Sequence, residues 1–341
     1  MTWFNTKNKL ISLLLCLFLA AACFSGCASE DANSGETLTP VTLSEVAHSI
    51  FYAPQYAAIG LGYFEDEGID LTLVNAGGAD KVMTALISGD AHIGFMGSEA
   101  SIYTYVGGNE DYAVNFAQLT QRAGNFLVSR EPIENFSWDM LKGSTVLGGR
   151  AGGMPEMVFE YILKKNGINP ETDLTIDQSI SFGLTAGAFM ENDADFTVEF
   201  EPFATSLEQS GDGYVVASLG VDSGYVPYTA YCANKSYFAE HEDIIQGFTN
   251  AIQKGLDYVN SHSAEEIAKT IAPQFAETDE KSIAIIVGRY LDQDTWKEDT
   301  VFEQTSFDLL QNILMDAVEL AAKVPYEDLV TTKYAEAAAK K

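Results

Sequence analysis

Between residues 41 and 219, short apolar runs with strand character alternate with helical segments, and few architectures accept that order. The runs at 41–46, 69–74, 92–96, 112–119, 126–129, 145–147, 174–177, 195–198 and 214–219 read as strands. The run at 69–74 shows the Ile-Asp-Leu-Thr-Leu-Val alternation of a half-buried one. The segments at 54–64, 80–88, 98–105, 155–165, 185–191 and 202–209 read as helices. Alternation of this kind predicts an α/β protein with largely parallel sheets covered by helices on both faces. After about Lys235 the pattern changes. Ile245, Phe248, Ile252, Leu256 and Val259 recur at helical spacing, as do Phe307, Leu310, Leu314, Ala317 and Ala321, so the last third is mostly helix. At ~150 residues per domain, 341 residues accommodate two β/α lobes with a helical C-terminal part.

Charge removes several function classes. Nineteen Lys and Arg stand against 49 Asp and Glu, a formal net charge of -30. Nucleic acid would be repelled, because phosphate contacts require clustered cations. A polybasic membrane-surface domain is excluded for the same reason. The four histidines, His48, His92, His241 and His262, form no HExxH or other zinc spacing, and no Gly-x-Ser-x-Gly elbow or spaced Cys-His pair is present. No metal, cofactor or catalytic residue is expected.

The N-terminus predicts export. Lys7 and Lys9 precede a run at 10–24 that is apolar except for Ser12, too short for a spanning helix and suited to a signal peptide. Phe24-Ser25-Gly26-Cys27 then resembles a bacterial lipobox, with Ala21-Ala22-Cys23 a second candidate. The expectation is a signal peptide at 1–26, lipid on Cys27 and a polar, flexible tether at 27–40. Removing the signal peptide takes away two lysines and no acid, moving the charge from -30 to -32. Cys232 would be the only cysteine left in the body, so no intrachain disulfide forms, and its apolar surroundings predict a buried, inert thiol.

Candidate ligand contacts lie in loops after strands, where open α/β sheets collect ligands. Residues 148–155 read Gly-Gly-Arg-Ala-Gly-Gly-Met-Pro: the glycines have P-loop spacing, but Met154-Pro155 replace the Lys and hydroxyl that phosphate and magnesium require. Gly152, Gly153 and Glu156 there either present a helix start to a ligand or form a tight turn. Ser98-Glu99 opens another helix, as a ligand contact or as a cap. Phe51 and Tyr52 either stack on a planar ligand or pack against the next helix. Glu199 and Glu201 follow a strand and face either a ligand or solvent. Gln121 and Arg122 lie between two strands at an expected crossover from one sheet to the next, with Arg130 and Arg150 the other nearby cations.

The run at 48–64, His-Ser-Ile-Phe-Tyr-Ala-Pro-Gln-Tyr-Ala-Ala-Ile-Gly-Leu-Gly-Tyr-Phe, followed by Glu67-Gly68-Ile69-Asp70, resembles the opening of a known group. That group is the ABC-transporter substrate-binding proteins for nitrate, sulfonate, taurine and thiamine pyrimidine precursors. The segments 85–95 and 199–202 fit the same family, and the resemblance spans about 41–320. It implies a type II periplasmic-binding-protein fold, with two lobes joined by crossovers near 119–125 and 224–231 and closing over one solute. Lobe 1 would comprise 41–121 and 229–341, and lobe 2 would comprise 122–228, with Tyr228 in the second crossover beside the ligand. It further implies a monomeric, extracytoplasmic, lipid-anchored receptor that feeds permease subunits powered by a separate ATPase. A relative in thiamine synthesis is an enzyme using clustered cysteines and a histidine, whereas this chain has only Cys232 in its body. An enzyme on the same scaffold and a surface adhesin or sensor lipoprotein are the alternative classes.

The carboxylates indicate the solute. Glu99, Glu156, Glu199 and Glu201 surround the expected cleft, against Arg122 and Arg150 alone. Nitrate or a sulfonate would enter an unfavourable field, whereas a neutral or cationic, planar, amine-bearing solute such as a thiamine pyrimidine precursor suits carboxylates and aromatic faces.

Overall fold

Ile93 to Gly97, Asn125 to Ser129 and Phe196 to Phe200 are buried along their whole length, the pattern of strands covered on both faces. The computed structural model describes residues 38–149, 151–180 and 183–340. The expected signal peptide, Cys23, Cys27, the tether up to residue 37 and Arg150 lie outside them. Ten strands follow in order: β1 (Thr39–Glu45), β2 (Ile69–Asn75), β3 (Ile93–Gly97), β4 (Ala113–Thr120), β5 (Asn125–Ser129), β6 (Thr145–Leu147), β7 (Thr175–Asp177), β8 (Phe196–Phe200), β9 (Tyr214–Ser218) and β10 (Thr229–Asn234). They form two five-stranded sheets, ordered β2-β1-β3-β10-β4 and β7-β6-β8-β5-β9.

The two sheets repeat one plan. β1 pairs in parallel with β2 and β3, and β6 with β7 and β8. The expectation of largely parallel sheets needs one correction in each: β10 and β5 run antiparallel to both their neighbours. Each is the first strand after the chain passes from one sheet to the other. Arriving at the end where the parallel strands stop, the chain can only run back along the sheet.

Three further expectations shift. β1 takes in Thr39 and Pro40, assigned above to the tether, because Thr39 N–H bonds Gly68 O and the register with β2 begins there. The single helix expected at 54–64 is two, Ala53–Gly60 and Tyr63–Asp66, divided at Gly62 with φ 76°. The helix expected to reach Ala321 stops at Asp316. There Val318 adopts φ 64°, its N–H bonds Met315 O, and Glu319 N–H bonds Leu314 O, closing the helix end in the manner usual for glycine. Cys232 is free and buried, and burial pushes its thiol up to about 12.

The C-terminal helices lie against both sheets' layers. Ile245, Phe248, Ile252, Leu256 and Val259 form the buried face of Glu242–Ser261. This helix crosses Ala53–Gly60 so closely that a Cβ on Gly255 would sit 2.2 Å from Pro54 O. Gln304–Asp316 packs against both Met154–Lys165 of the second sheet's layer and Glu99–Val106 of the first. Among the described residues no helix is long and apolar enough to cross a membrane.

Candidate functional site

Five parallel strands, β1, β2 and β3 of the first sheet and β6 and β8 of the second, lead to one cavity of about 90 Å³. Val46 and Ala47 follow β1, Gly78 and Ala79 follow β2, Gly97 ends β3 and Glu99 follows it; Tyr52, Tyr228 and Thr229 complete the first side. From the second sheet come Gly149 after β6, Gly153, Met154 and Pro155 at a helix start, and Phe200 at the end of β8.

A buried network holds the first wall. Glu45, fully buried, accepts from Gln55 Nε2 and the Tyr56 hydroxyl, each at 2.8 Å, and meets His48 Nδ1 at 2.8 Å. His48 Nε2 is anchored on Gln274 O at 2.8 Å. The Ser49 hydroxyl accepts from Phe51 N–H, capping the short turn Ile50–Tyr52, and donates to Glu201 O at 2.9 Å. Tyr52 is thereby set at the cavity, its ring edge-on to Phe95 at 4.5 Å between centroids. Glycine at position 97 leaves room for the Glu99 carboxylate, since a Cβ there would lie 2.2 Å from Glu99 Oε2.

Of the residues singled out in the sequence, Tyr52, Glu99, Gly153 and Tyr228 line this cavity. Glu199 lines a smaller adjoining one of about 20 Å³ with Thr185 and Phe203. The others stand elsewhere. Phe51 is not a stacking face: it is fully buried among Tyr52, Phe200, Tyr228 and Tyr290. The Ser98 side chain does not cap its helix but donates to Pro227 O in the second crossover. Gln121 bonds Asp294 and Trp296. Arg122 bonds Gly220 O and lies over the Tyr225 ring, so it offers the cavity no charge. Gly152, with φ 73°, lies outside the cavity wall, its carbonyl taken by the Tyr103 hydroxyl at 3.2 Å. Glu156 folds back onto its own loop, accepting from Gly152 N–H and Gln178 Nε2, and burial together with Glu160 pushes its carboxyl up. Glu201 is paired with Arg289. Arg130 is spent on Ala194 O and Phe189 O.

Sequence reasoning passed over Val46, Ala47, Gly78, Ala79, Thr229 and Phe200. All lie at or beside a strand end, which is the signal that finds them. Five are small or aliphatic and suggest no chemistry, although small residues are what leave the cavity open.

Burial governs the titrating groups. The Tyr52 and Tyr228 hydroxyls are held far above their ordinary range, chiefly by burial and further by neighbouring groups including Glu99, so both remain protonated donors. The Tyr228 hydroxyl has no hydrogen-bond partner among the described residues. Burial raises Glu199 from 4.5 to about 7, against the opposing bonds from the Thr197 and Thr185 hydroxyls at 2.6 and 2.9 Å. A carboxyl whose folded pKa is raised contributes stability that is present below the unfolded value and lost as pH rises through the folded one. His48, raised chiefly by its bond to Glu45, has the same sign. Glu156, pushed up to about 8, has it too, so the melting temperature should fall as pH rises from about 4.5 to 8, and Glu199→Gln should remove part of that slope below about 7. Calorimetric scans across this range check it; a wild-type slope in the variant would show that Glu199 does not set it.

The family model described as NMT1/THI5 like matches residues 50–266. The chain belongs to the NMT1/THI5-like family. A relative of this family member is YtlA of Bacillus subtilis strain 168, provisionally named a binding protein, 41% identical over 334 residues that cover 98% of this chain and 97% of that one. Among solved structures, the alkanesulfonate-binding protein SsuA from Xanthomonas axonopodis pv. citri has a TM-score of 0.69 at 14% identity, over 86% of this chain and 98% of that one. The ligand-binding component of an ABC-type import system from Staphylococcus aureus has a TM-score of 0.70 at 14% identity, over 88% and 99%. These likenesses bear out the expected family and the periplasmic-binding-protein fold.

Proposed function

We propose that this NMT1/THI5-like protein is the extracytoplasmic solute-binding component of an ABC importer. It captures a small, planar, amine-bearing solute, of the chemistry of a thiamine pyrimidine precursor, and delivers it to permease subunits driven by a separate ATPase. It works as a monomer carried at the membrane by lipid on Cys27. Lobe 1 comprises 41–121 and 229–341, lobe 2 comprises 122–228, and the passages between them act as hinges. Capture rests on the higher affinity of the closed arrangement for the solute.

The observation that carries the solute class is the lining of the cavity. Glu99, 3% exposed, shares it with Tyr52, Tyr228 and Phe200, and no Lys or Arg is among its described lining residues. A buried carboxylate repels an anion and accepts from an amine, and a charge-assisted bond of this kind is the stronger type. The aromatic rings supply apolar area for a planar ring, and the Tyr228 hydroxyl supplies a donor.

The alkanesulfonate ligand of the Xanthomonas neighbour favours a second reading, an anion receptor. Calorimetric titration with 4-aminopyrimidine, nitrate, taurine and ethanesulfonate separates the two. Binding of the aminopyrimidine alone is expected; tight binding of nitrate or a sulfonate in its place would overturn the solute class and leave the receptor reading standing.

A further inference from the structure

The helix Glu280–Asp292 packs against Ala264–Ile271 and the turn Ile50–Tyr52, which hold it to the first sheet's layer. Its polar side chains nevertheless reach the second. Arg289 Nη1 meets Glu201 Oε1 at 2.8 Å, just beyond the end of β8, and its Nη2 pairs with Glu208 on the helix Phe203–Ser210. Gln209 Nε2 donates to Ser282 Oγ at 3.0 Å, and Ser218 Oγ donates to Gln293 Oε1 at 2.6 Å. Glu201 is 1% exposed and also accepts from the Thr205 N–H and hydroxyl. Arg289 is the cation beside this buried carboxylate, and removing it would leave the charge uncompensated. The residue before Glu201 is Phe200, a wall of the cavity, and the loop that carries Tyr52 grips Glu201 O through Ser49. Arg289 itself does not line the cavity.

We propose that Arg289 is a positioning residue for solute capture: it holds the end of β8 against the first lobe and favours the arrangement in which Phe200 closes the cavity, without touching the solute. This rests on the two-lobed receptor reading above and not on the solute class. A group that acts on closure changes the fraction of molecules competent to bind, which multiplies every dissociation constant by one common factor. A group that touches the solute changes the constants unequally.

The test uses the whole mature protein. Small-angle scattering without solute should give Arg289→Ala a larger radius of gyration than the wild type. Calorimetry with a panel of planar amines, 4-aminopyrimidine, 2-aminopyrimidine and 4-aminopyridine, should show every one that the wild type binds weakened by the same factor, on the order of tenfold. Arg289→Lys should recover part of the loss, since an ammonium keeps the charge but not the fork that spans two carboxylates. Glu208→Gln leaves the buried pair intact and should move both readouts in the same direction by less; it replaces Arg289→Ala if circular dichroism shows that variant unfolded. An unchanged radius, unchanged affinities, or losses that differ from solute to solute would each overturn the proposal. If no solute of the panel binds, the solute class fails and the scattering comparison alone decides the role of Arg289.

Discussion

Phe51→Ala should destabilise the protein by about 3–5 kcal/mol, the range for removing a fully buried aromatic ring. The ring is inaccessible to solvent and has Tyr52, Tyr290, Tyr228 and Phe200 around it at centroid distances of 5.1, 5.4, 5.7 and 5.8 Å. Gly124 presses on it so closely that a Cβ there would lie 2.4 Å from the ring. Tyr290 and the Phe51 backbone are pinned. The Tyr290 hydroxyl donates to Gly124 O at 2.8 Å, and the Trp296 indole N–H donates to the carbonyl of Phe51 itself at 2.8 Å. A site held this way cannot collapse into the space the ring leaves, and residual cavity volume is what makes such a deletion costly. Denaturant unfolding measures the effect; a loss below about 1 kcal/mol would mean that the surrounding rings do relax. Phe51→Leu should keep solute affinity near the wild-type value, because the ring supports the cavity from behind without lining it.

Glu99→Gln should weaken an amine-bearing solute by roughly 10- to 100-fold, the equivalent of about 1.5–3 kcal/mol for a charged hydrogen-bond partner. The amide that replaces the carboxylate keeps its shape, so the fold should be unaffected and the change should fall on binding. Gly97→Ala gives the same loss by another route. The added Cβ would lie 2.2, 2.6 and 2.7 Å from the Glu99 carboxylate atoms. These atoms are the end of a flexible side chain and move at little cost to folding, but they leave the cavity when they do. Titration of both variants with 4-aminopyrimidine is the check. Wild-type affinity in Glu99→Gln would remove the carboxylate from the solute's contacts, and wild-type affinity in Gly97→Ala alone would show that the carboxylate can shift without losing them.

Local patterning by itself determined much of this protein. The alternation of strand and helix periods between 41 and 219, the helical spacing of Ile245 to Val259 and the glycines of the turns all express preferences of neighbouring residues, which need no partner to be read. The rule that ligands collect at strand ends was enough to reach Tyr52, Glu99 and Gly153. Only the tertiary structure decided which carboxylate meets what. Glu99, Glu156, Glu199 and Glu201 follow strands or open helices in much the same way in the sequence. In space one lines the cavity, one caps its own loop, one is buried against two threonines, and one is neutralised by Arg289 from 88 residues away. Likewise Phe51 and Tyr52 are adjacent aromatics, and the turn Ile50–Tyr52 sends one ring into the packing between the crossovers and the other to the cavity. Burial, pairing and direction depend on chain segments far apart in sequence, and β5 and β10 run antiparallel only because of where the chain enters each sheet. No local preference encodes those encounters, because each is set by the packing of the whole chain.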